Sequence, residues 1–563
     1  MKSLYMKIKL LTILSLSVII SCIAVAQNPS ISWQTTIGGN SNDSLSDIKP
    51  TADGGFIVCG KSKSDISGNK SNNAIGSFDY WIVKLDSRGR VKWNKTFGGL
   101  ADDSNPYIIQ TPEGGYLAGG KSISNISGNK TEDAINFSYD YWVIKLDKNG
   151  NVQWDNTIGG IQLEAVRGLA TAADNKGYLI AGYAHSNAGY DKSELNRGSS
   201  VWSDYWVVKL NKSGGVKWNK TYGGGNEDVL TSFKSTSDGG FIMGGHSYSP
   251  AEYEKTDSFL GNCDYWIVKI DANGNKLWDK TIGGKFSDYQ TSVSQTSDGG
   301  YILGGYSNSP ASFNKTGAWR GGTDYWVVKT DTYGNLLWEK TIGGSGIDHL
   351  SSVQQTADKG YIIGGISNSD AGYEKSENSK GGNDVWIIKL DSTGNQIWDK
   401  GYGGAGNDML SSITEISAGE YIIGVTSNSP ASGDKTVATV GATGENDYWV
   451  IRLTSAASAK SAQAVQNIQS AVTSSNSKPL TQKLSLRVSP NPVKDIAMVQ
   501  YTALTNGRVT LTVYDNNGKT VKQKTLSGAS GNYAADISRY AAGLYYFVLT
   551  SGKSSATVAV IKE

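Results

Sequence analysis

The chain has 563 residues, enough for more than one domain. Its 69 Gly, 16 Trp and 30 Tyr against only 10 Pro favour many short strands joined by tight turns over a helical fold. The 53 basic and 51 acidic residues nearly cancel, which excludes a global field drawing the protein to nucleic acid or to an anionic membrane.

At the N-terminus, Lys2, Lys7 and Lys9 precede an apolar run from Leu10 to Ile20. That run is too short to span a bilayer and has the length of a signal-peptide core. The small residues of Ala24-Val25-Ala26 predict cleavage between Ala26 and Gln27. A second reading takes Ile19-Ile20-Ser21-Cys22 as a lipoprotein site with Cys22 acylated. No later segment is apolar enough to cross a membrane as a helix. Once Cys22 has left, Cys59 and Cys263 stand in distant repeats, so neither a disulfide nor a metal site is expected and packing must hold the fold.

From residue 27 to 454 one unit recurs seven times. A Trp in the phrase GNLLWEKTIGG falls at Trp33, Trp93, Trp154, Trp218, Trp278, Trp338 and Trp398, with spacings of 60, 61, 64, 60, 60 and 60. A second Trp, in DYWVVKT, falls at Trp81, Trp142, Trp206, Trp266, Trp326, Trp386 and Trp449. Each unit reads as four strands, here lettered A to D outward from a central axis. Strand A follows the Gly-Gly pair, B carries YIIGG, C carries DYWVVKT, and D carries GNLLWEKTI. Turns such as Asp238-Gly239-Gly240 and Asp271 to Gly274 join them. The chain opens with a lone D strand at Ile31 to Ile37 and leaves the last unit after a C strand at Tyr448 to Leu453. The bookkeeping therefore predicts an all-β fold: a seven-bladed β-propeller of four-stranded blades, closed by the N-terminal strand. The phrase GGYIxGGxSxS…DYWIVKLDxxGNxxWxKTIGG, over about residues 30 to 454, resembles bacterial propellers related to the quinoprotein-type and WD-type superfamilies. That resemblance implies the fold and leaves the function open.

Residues 455–483 turn abruptly to Ala, Ser, Gln and Thr and read as a flexible linker. Residues 484–563 return to alternating strands. Ser489-Pro490-Asn491-Pro492, the turn from Val513 to Lys519 and Ala542-Gly543-Leu544-Tyr545-Tyr546 resemble the C-terminal sorting domain of type IX secretion substrates. The resemblance implies a small β-sandwich that the type IX machinery reads as an address. A generic adhesive sandwich is the alternative. The whole predicts a secreted or surface protein.

Two kinds of residue are candidates for function. Four residues after each Gly-Gly pair stands an acid (Asp43, Asp103, Glu164, Asp228, Asp288, Asp348, Asp408), and each B-to-C loop carries a lysine (Lys70, Lys130, Lys192, Lys255, Lys315, Lys375, Lys435). Strand alternation puts both on one face, as two charged rings. Either they bind a ligand, or each acid pairs with a lysine or caps backbone amides; sevenfold recurrence favours the structural role. The C-strand lysines (Lys84, Lys145, Lys209, Lys269, Lys329, Lys389) and Arg452 read as stems reaching outward. The turns at Asp147 and Asp271 read as hairpins rather than calcium loops. Residues that break the repeat are better ligand-binding candidates: Trp202, Trp319, Arg197, Arg320, Phe259 and Tyr139, with Phe137 in an equivalent loop. His185, His246 and His349 lie in three different units and suggest no catalytic set, and no cofactor motif is present. The expectation is a non-catalytic binding module for a glycan or an envelope protein. The alternative is an enzyme acting on extracellular polysaccharide, which needs two converging carboxylates.

Overall fold

A computed structural model describes residues 28–455 except 200 and 443, and residues 484–562 except 490–492, 504–508, 516–518, 527–529 and 552–553. The expected signal peptide, with Cys22 and the Ala26–Gln27 bond, and residues 456–483 of the expected linker lie outside these. The chain divides into two units near residue 463.

The first unit is built from seven four-stranded antiparallel sheets. Blade 5 shows the plan: strands Asp288–Gln295 (A), Tyr301–Ser307 (B), Asp324–Thr330 (C) and Leu336–Ile342 (D) pair in chain order. In blade 7 the strands Asp408–Ser417, Glu420–Ser427 and Asp447–Thr454 receive Ser30–Ile37 in the D place, with Ile37 opposite Tyr448 and Thr36 opposite Trp449. A strands of successive blades touch one another, and that of blade 7 touches that of blade 1. Cys59 and Cys263 are buried and unbridged.

The recurring sequence marks are the contacts between blades. All seven C-strand Trp are fully buried. The Tyr before each one reaches the next blade: Tyr80 Oη donates to the Trp142 carbonyl at 3.2 Å with the rings 4.9 Å apart. Tyr141, Tyr205, Tyr265, Tyr325 and Tyr448 repeat the contact on Trp206, Trp266, Trp326, Trp386 and Trp81. Blade 6 has Val385 in the Tyr place. The D-strand Trp lie against the C-to-D hairpin of the next blade, so a Cβ at Gly89 would collide with the Trp33 ring. The Gly-Gly pairs exist for the same reason. A Cβ on Gly283 would overlap the Asp264 carboxylate, and one on Gly284 would overlap Ser309. Shape complementarity of this kind, more than area alone, selects one packing.

The second unit has a three-stranded sheet (Ser485–Ser489, Ile496–Thr502, Ser530–Asp536) and a four-stranded one (Val509–Asp515, Thr520–Leu526, Gly543–Ser551, Ser554–Lys562). Ala497, Val499 and Tyr501 from the first share one apolar core with Leu511, Val513, Phe547 and Leu549 from the second, the arrangement of a β-sandwich.

Candidate functional site at the channel mouth

The two charged rings are buried, which corrects the surface reading. Every acid of the first ring is inaccessible to solvent, and each loop lysine is at most 3% exposed. The acids cap backbone amides. Gly284 N donates to Asp288 Oδ2 at 2.6 Å, Ser309 Oγ donates to the same oxygen at 3.1 Å, and the other blades repeat the pattern. The lysine of that blade, Lys315, donates to the carbonyl of Gly317 at 3.0 Å and so ties down its own loop. A third buried set stands beside them, the Asp that opens each C strand. Asp264 Oδ2 takes the amide of Leu260, while its Oδ1 has no hydrogen-bond partner among the described residues. Burial, with the neighbouring Asp288 charge as a lesser contributor, pushes Asp264 up to about 6.

Six of the seven C-strand cations, all but Lys209, are not outward stems either. Lys84, Lys145, Lys269, Lys329 and Lys389 are buried and reach the acid of the A-to-B hairpin; Lys269, for example, lies 2.9 Å from Asp238. Arg452 pairs likewise with Glu420 at 2.8 Å. At Asp147 and Asp271 the carboxylates are filled by their own turns, since Asn273 and Asn275 amides both donate to Asp271 Oδ1 at 2.8 Å.

The unrepeated loop residues separate into three groups. Arg197 forms a two-pronged bond to Glu254 of the next blade, with both distances 2.8 Å, and Arg320 reaches Glu374 of the next blade at 2.6 Å. Both guanidinium groups are therefore ties between blades, and Lys380 with Asp434 is a third at 2.9 Å. Trp319, Phe259 and Phe137 are exposed on separate blades, and no contact brings them together. Tyr139 does lie at a site: its hydroxyl donates to Asp102 at 3.1 Å and the Lys121 amine sits 4.1 Å from its ring centre. The loop of Trp202 adjoins that region through the Val201 carbonyl, 3.4 Å from His185 Nδ1.

That region is defined by a single rung of the inner ladder. The first residue of strand A faces the last of strand B, and in six blades this pair is Asp with Ser. Where the pairing continues two residues on, the partner on strand B is Gly in most blades. Between these near-constant levels the pair varies, with Ser–Lys shared by blades 1 and 2 alone: Ser44 with Lys61, Ser104 with Lys121, Ala165 with Tyr183, Val229 with His246, Tyr289 with Tyr306, His349 with Ile366, Met409 with Thr426. Packing treats all seven blades alike, so variation at this level has another cause.

The side chains of this rung sort by chemistry. Blades 1 and 2 are cationic, with Lys61 4.5 Å from the Phe78 ring centre and Lys121 resting on Tyr139; in blade 3 Arg167, two residues beyond the rung, lies 5.1 Å from the Tyr183 ring centre. Blades 4 to 6 form a continuous aromatic run. His246 meets Tyr289 edge-on at 5.0 Å, Tyr289 stacks on Tyr306 at 5.2 Å, and Tyr306 stacks on His349 at 3.9 Å. Tyr248 and Tyr289 share a hydroxyl contact of 3.2 Å. The fold thus joins His246 and His349, which sequence spacing had left in separate repeats, through two tyrosines, while His185 stays apart beside Tyr183. Burial, aided by the Arg167 charge, pushes His246 down to about 4, so its imidazole is neutral. His246 Nδ1 has no partner among the described residues.

Comparisons with known proteins bear on the second unit. Residues 487–563 match the family model of the secretion system C-terminal sorting domain. The second unit is a secretion sorting domain. The protein is therefore exported, to the cell surface or beyond it, and is handled by the type IX secretion system. No helix among the described residues is long and apolar enough to cross a membrane. No curated protein sequence matches this chain. Solved structures similar to it include YCF48 with a bound D1 peptide (8% identity, TM-score 0.36, covering 77% of this chain and 99% of that one). PorZ, a surface component of the type IX secretion system of Porphyromonas gingivalis, is similar at 8% identity and TM-score 0.24, over 94% and 85% of the two chains. An aldose sugar dehydrogenase from Streptomyces coelicolor is similar at 11% identity and TM-score 0.28, over 76% and 99%. Likenesses this distant say nothing about what the chain binds.

Proposed function

We propose that this exported propeller is a non-catalytic recognition module for a glycan or an envelope protein, and that it binds at the channel mouth. The single observation carrying this reading is the variable rung, where seven otherwise repeated blades place six different residue pairs on one ring. Cationic groups on blades 1 to 3 face an aromatic run on blades 4 to 6, a combination suited to sugar rings and polar chains. Arg197 and Arg320 leave the list of ligand groups because their charges are already met by Glu254 and Glu374. The neutral His246, its Nδ1 without a partner, supports binding over acid–base chemistry.

The test is a glycan array probed with the mature full-length protein, followed by titration of the best hit. Tyr289→Ala and Lys121→Met are expected to weaken binding about tenfold or more, the range of interface truncations, while Trp319→Ala leaves it unchanged. Loss of binding in Trp319→Ala with retention in Tyr289→Ala contradicts the assignment. So does cleavage of a polysaccharide by the wild-type protein.

A further inference from the structure

Below the mouth, the seven A strands enclose a cavity of about 140 Å³. Blades 5 to 7 line it with Ser and Thr alone, and several of those hydroxyls are structural. Thr291 Oγ1 donates to the Leu350 carbonyl at 2.7 Å, and Ser411 Oγ donates to the Leu45 carbonyl at 2.8 Å. Blades 1 to 4 break this pattern with Asp47 and Lys49, Tyr107, Arg167, and Lys234. Asp47 is taken by Lys49 at 2.6 Å. Arg167 donates to the Val166 carbonyl at 3.1 Å and to Tyr183 Oη at 3.4 Å, and neither it nor Lys234 has a carboxylate partner among the described residues. The groups share one electrostatic space: Arg167, Asp47 and Lys49 all act on the Tyr107 hydroxyl. Lys234 is exposed and Arg167 half-buried.

A nearly neutral chain has thus placed two cations, without a carboxylate partner among the described residues, on the wall of this cavity. Nothing in blade packing requires cations there, since blades 5 to 7 close the same wall with hydroxyls. We propose that the channel is an anion-binding site, in which Arg167 and Lys234 hold the carboxylate or sulfate of an acidic glycan whose neutral part rests on the mouth. The glycan half of this statement rests on the proposed function; the anion half does not. The hydroxyl-bearing wall opposite the cations and the aromatic run above it suit a sugar. The cavity admits an acidic end group and excludes a folded segment.

The experiment is calorimetry on the mature full-length protein at low ionic strength, with three probes: sodium sulfate, an oligogalacturonate trimer and the neutral galactose trimer. Sulfate and the acidic trimer are expected to bind in competition, with the neutral trimer at least tenfold weaker. Added salt should weaken the acidic probe selectively. Lys234→Met and Arg167→Met should each lower affinity for sulfate and for the acidic trimer at least tenfold, with the melting temperature of Lys234→Met unchanged or raised. The surface variant Lys285→Met should do neither. Equal binding of acidic and neutral trimers, or full affinity in Lys234→Met, overturns the proposal. Sulfate binding that is lost in Lys234→Met, without binding of either trimer, keeps the anion site and overturns the glycan. Tighter binding of a tetra-aspartate peptide than of the acidic trimer overturns the glycan as well.

Discussion

At the scale of single residues, charge in this protein is mostly internal scaffolding. A buried lysine is costly unless its ammonium is hydrogen-bonded, and Lys315 answers this by donating to the Gly317 carbonyl of its own loop. Lys315→Met removes this bond and leaves the Gly317 carbonyl without its donor. We expect a loss of about 1–3 kcal/mol, the usual cost of orphaning a buried polar group, read from chemical denaturation, with binding at the mouth unchanged. Unchanged stability would show that the loop lysines are solvated in solution. The sequence announced these residues through their recurrence but could not show their burial. Lys269 looks like any strand-surface lysine until the fold brings Asp238, 31 positions earlier, within 2.9 Å. Arg197 and Arg320 misled for the same reason, because the carboxylates that satisfy them, Glu254 and Glu374, are 57 and 54 residues away.

At the scale of strands, the C-strand Asp residues set a pH response. Burial raises Asp264, Asp324 and Asp79 to about 6, Asp447 to about 7 and Asp204 to about 8. Asp140 and Glu164 face each other and are both pushed up by burial. Groups whose folded value lies above the ordinary 3.8 bind protons more tightly when folded. The stability they lend is complete below about pH 4 and is lost as pH rises through about 6 to 8. The loop lysines are displaced downward by burial, Lys192 to about 8, so their effect falls at the top of this window and above it. The hairpin acids Asp238 and Asp298, held near 2 by hydrogen bonds and by Lys269 and Lys329, act only below it. His246 and His349, both lowered by burial, oppose the trend but are two against many. Melting temperature should therefore be higher at pH 5.5 than at pH 8, and Asp264→Asn should flatten the slope. A profile rising toward pH 8 would mean that the seven C-strand carboxylates are charged in the folded protein. The strands themselves were legible in the sequence, because the period of two, the turn glycines and the Trp marks agree. Their pH response was not, since it depends on which two carboxylates meet across a blade boundary.

For the whole molecule, repetition is both what made the fold readable and what hid the site. Six copies of Tyr-Trp and seven of Gly-Gly define the blade plan in the sequence alone. The same regularity drew the eye to the loops, where Trp202 and Trp319 stand out, and away from the rung between Asp288 and Gln290, where Tyr289 looks like one more strand residue. Aligning the seven units against each other exposes that rung, because its residues vary between two levels that repeat. The sorting domain places the molecule outside the cell, and the ring of unlike residues gives it a surface with which to act there. Hydrogen–deuterium exchange of the mature protein with and without its best array ligand tests this most directly. The account predicts new protection in the segments of strands A and B that carry Tyr289, Tyr306 and His349 and in those carrying Lys121 and Arg167, with the Trp319 loop unaffected. Protection confined to the outer loops, with the inner strands exchanging as before, would contradict it.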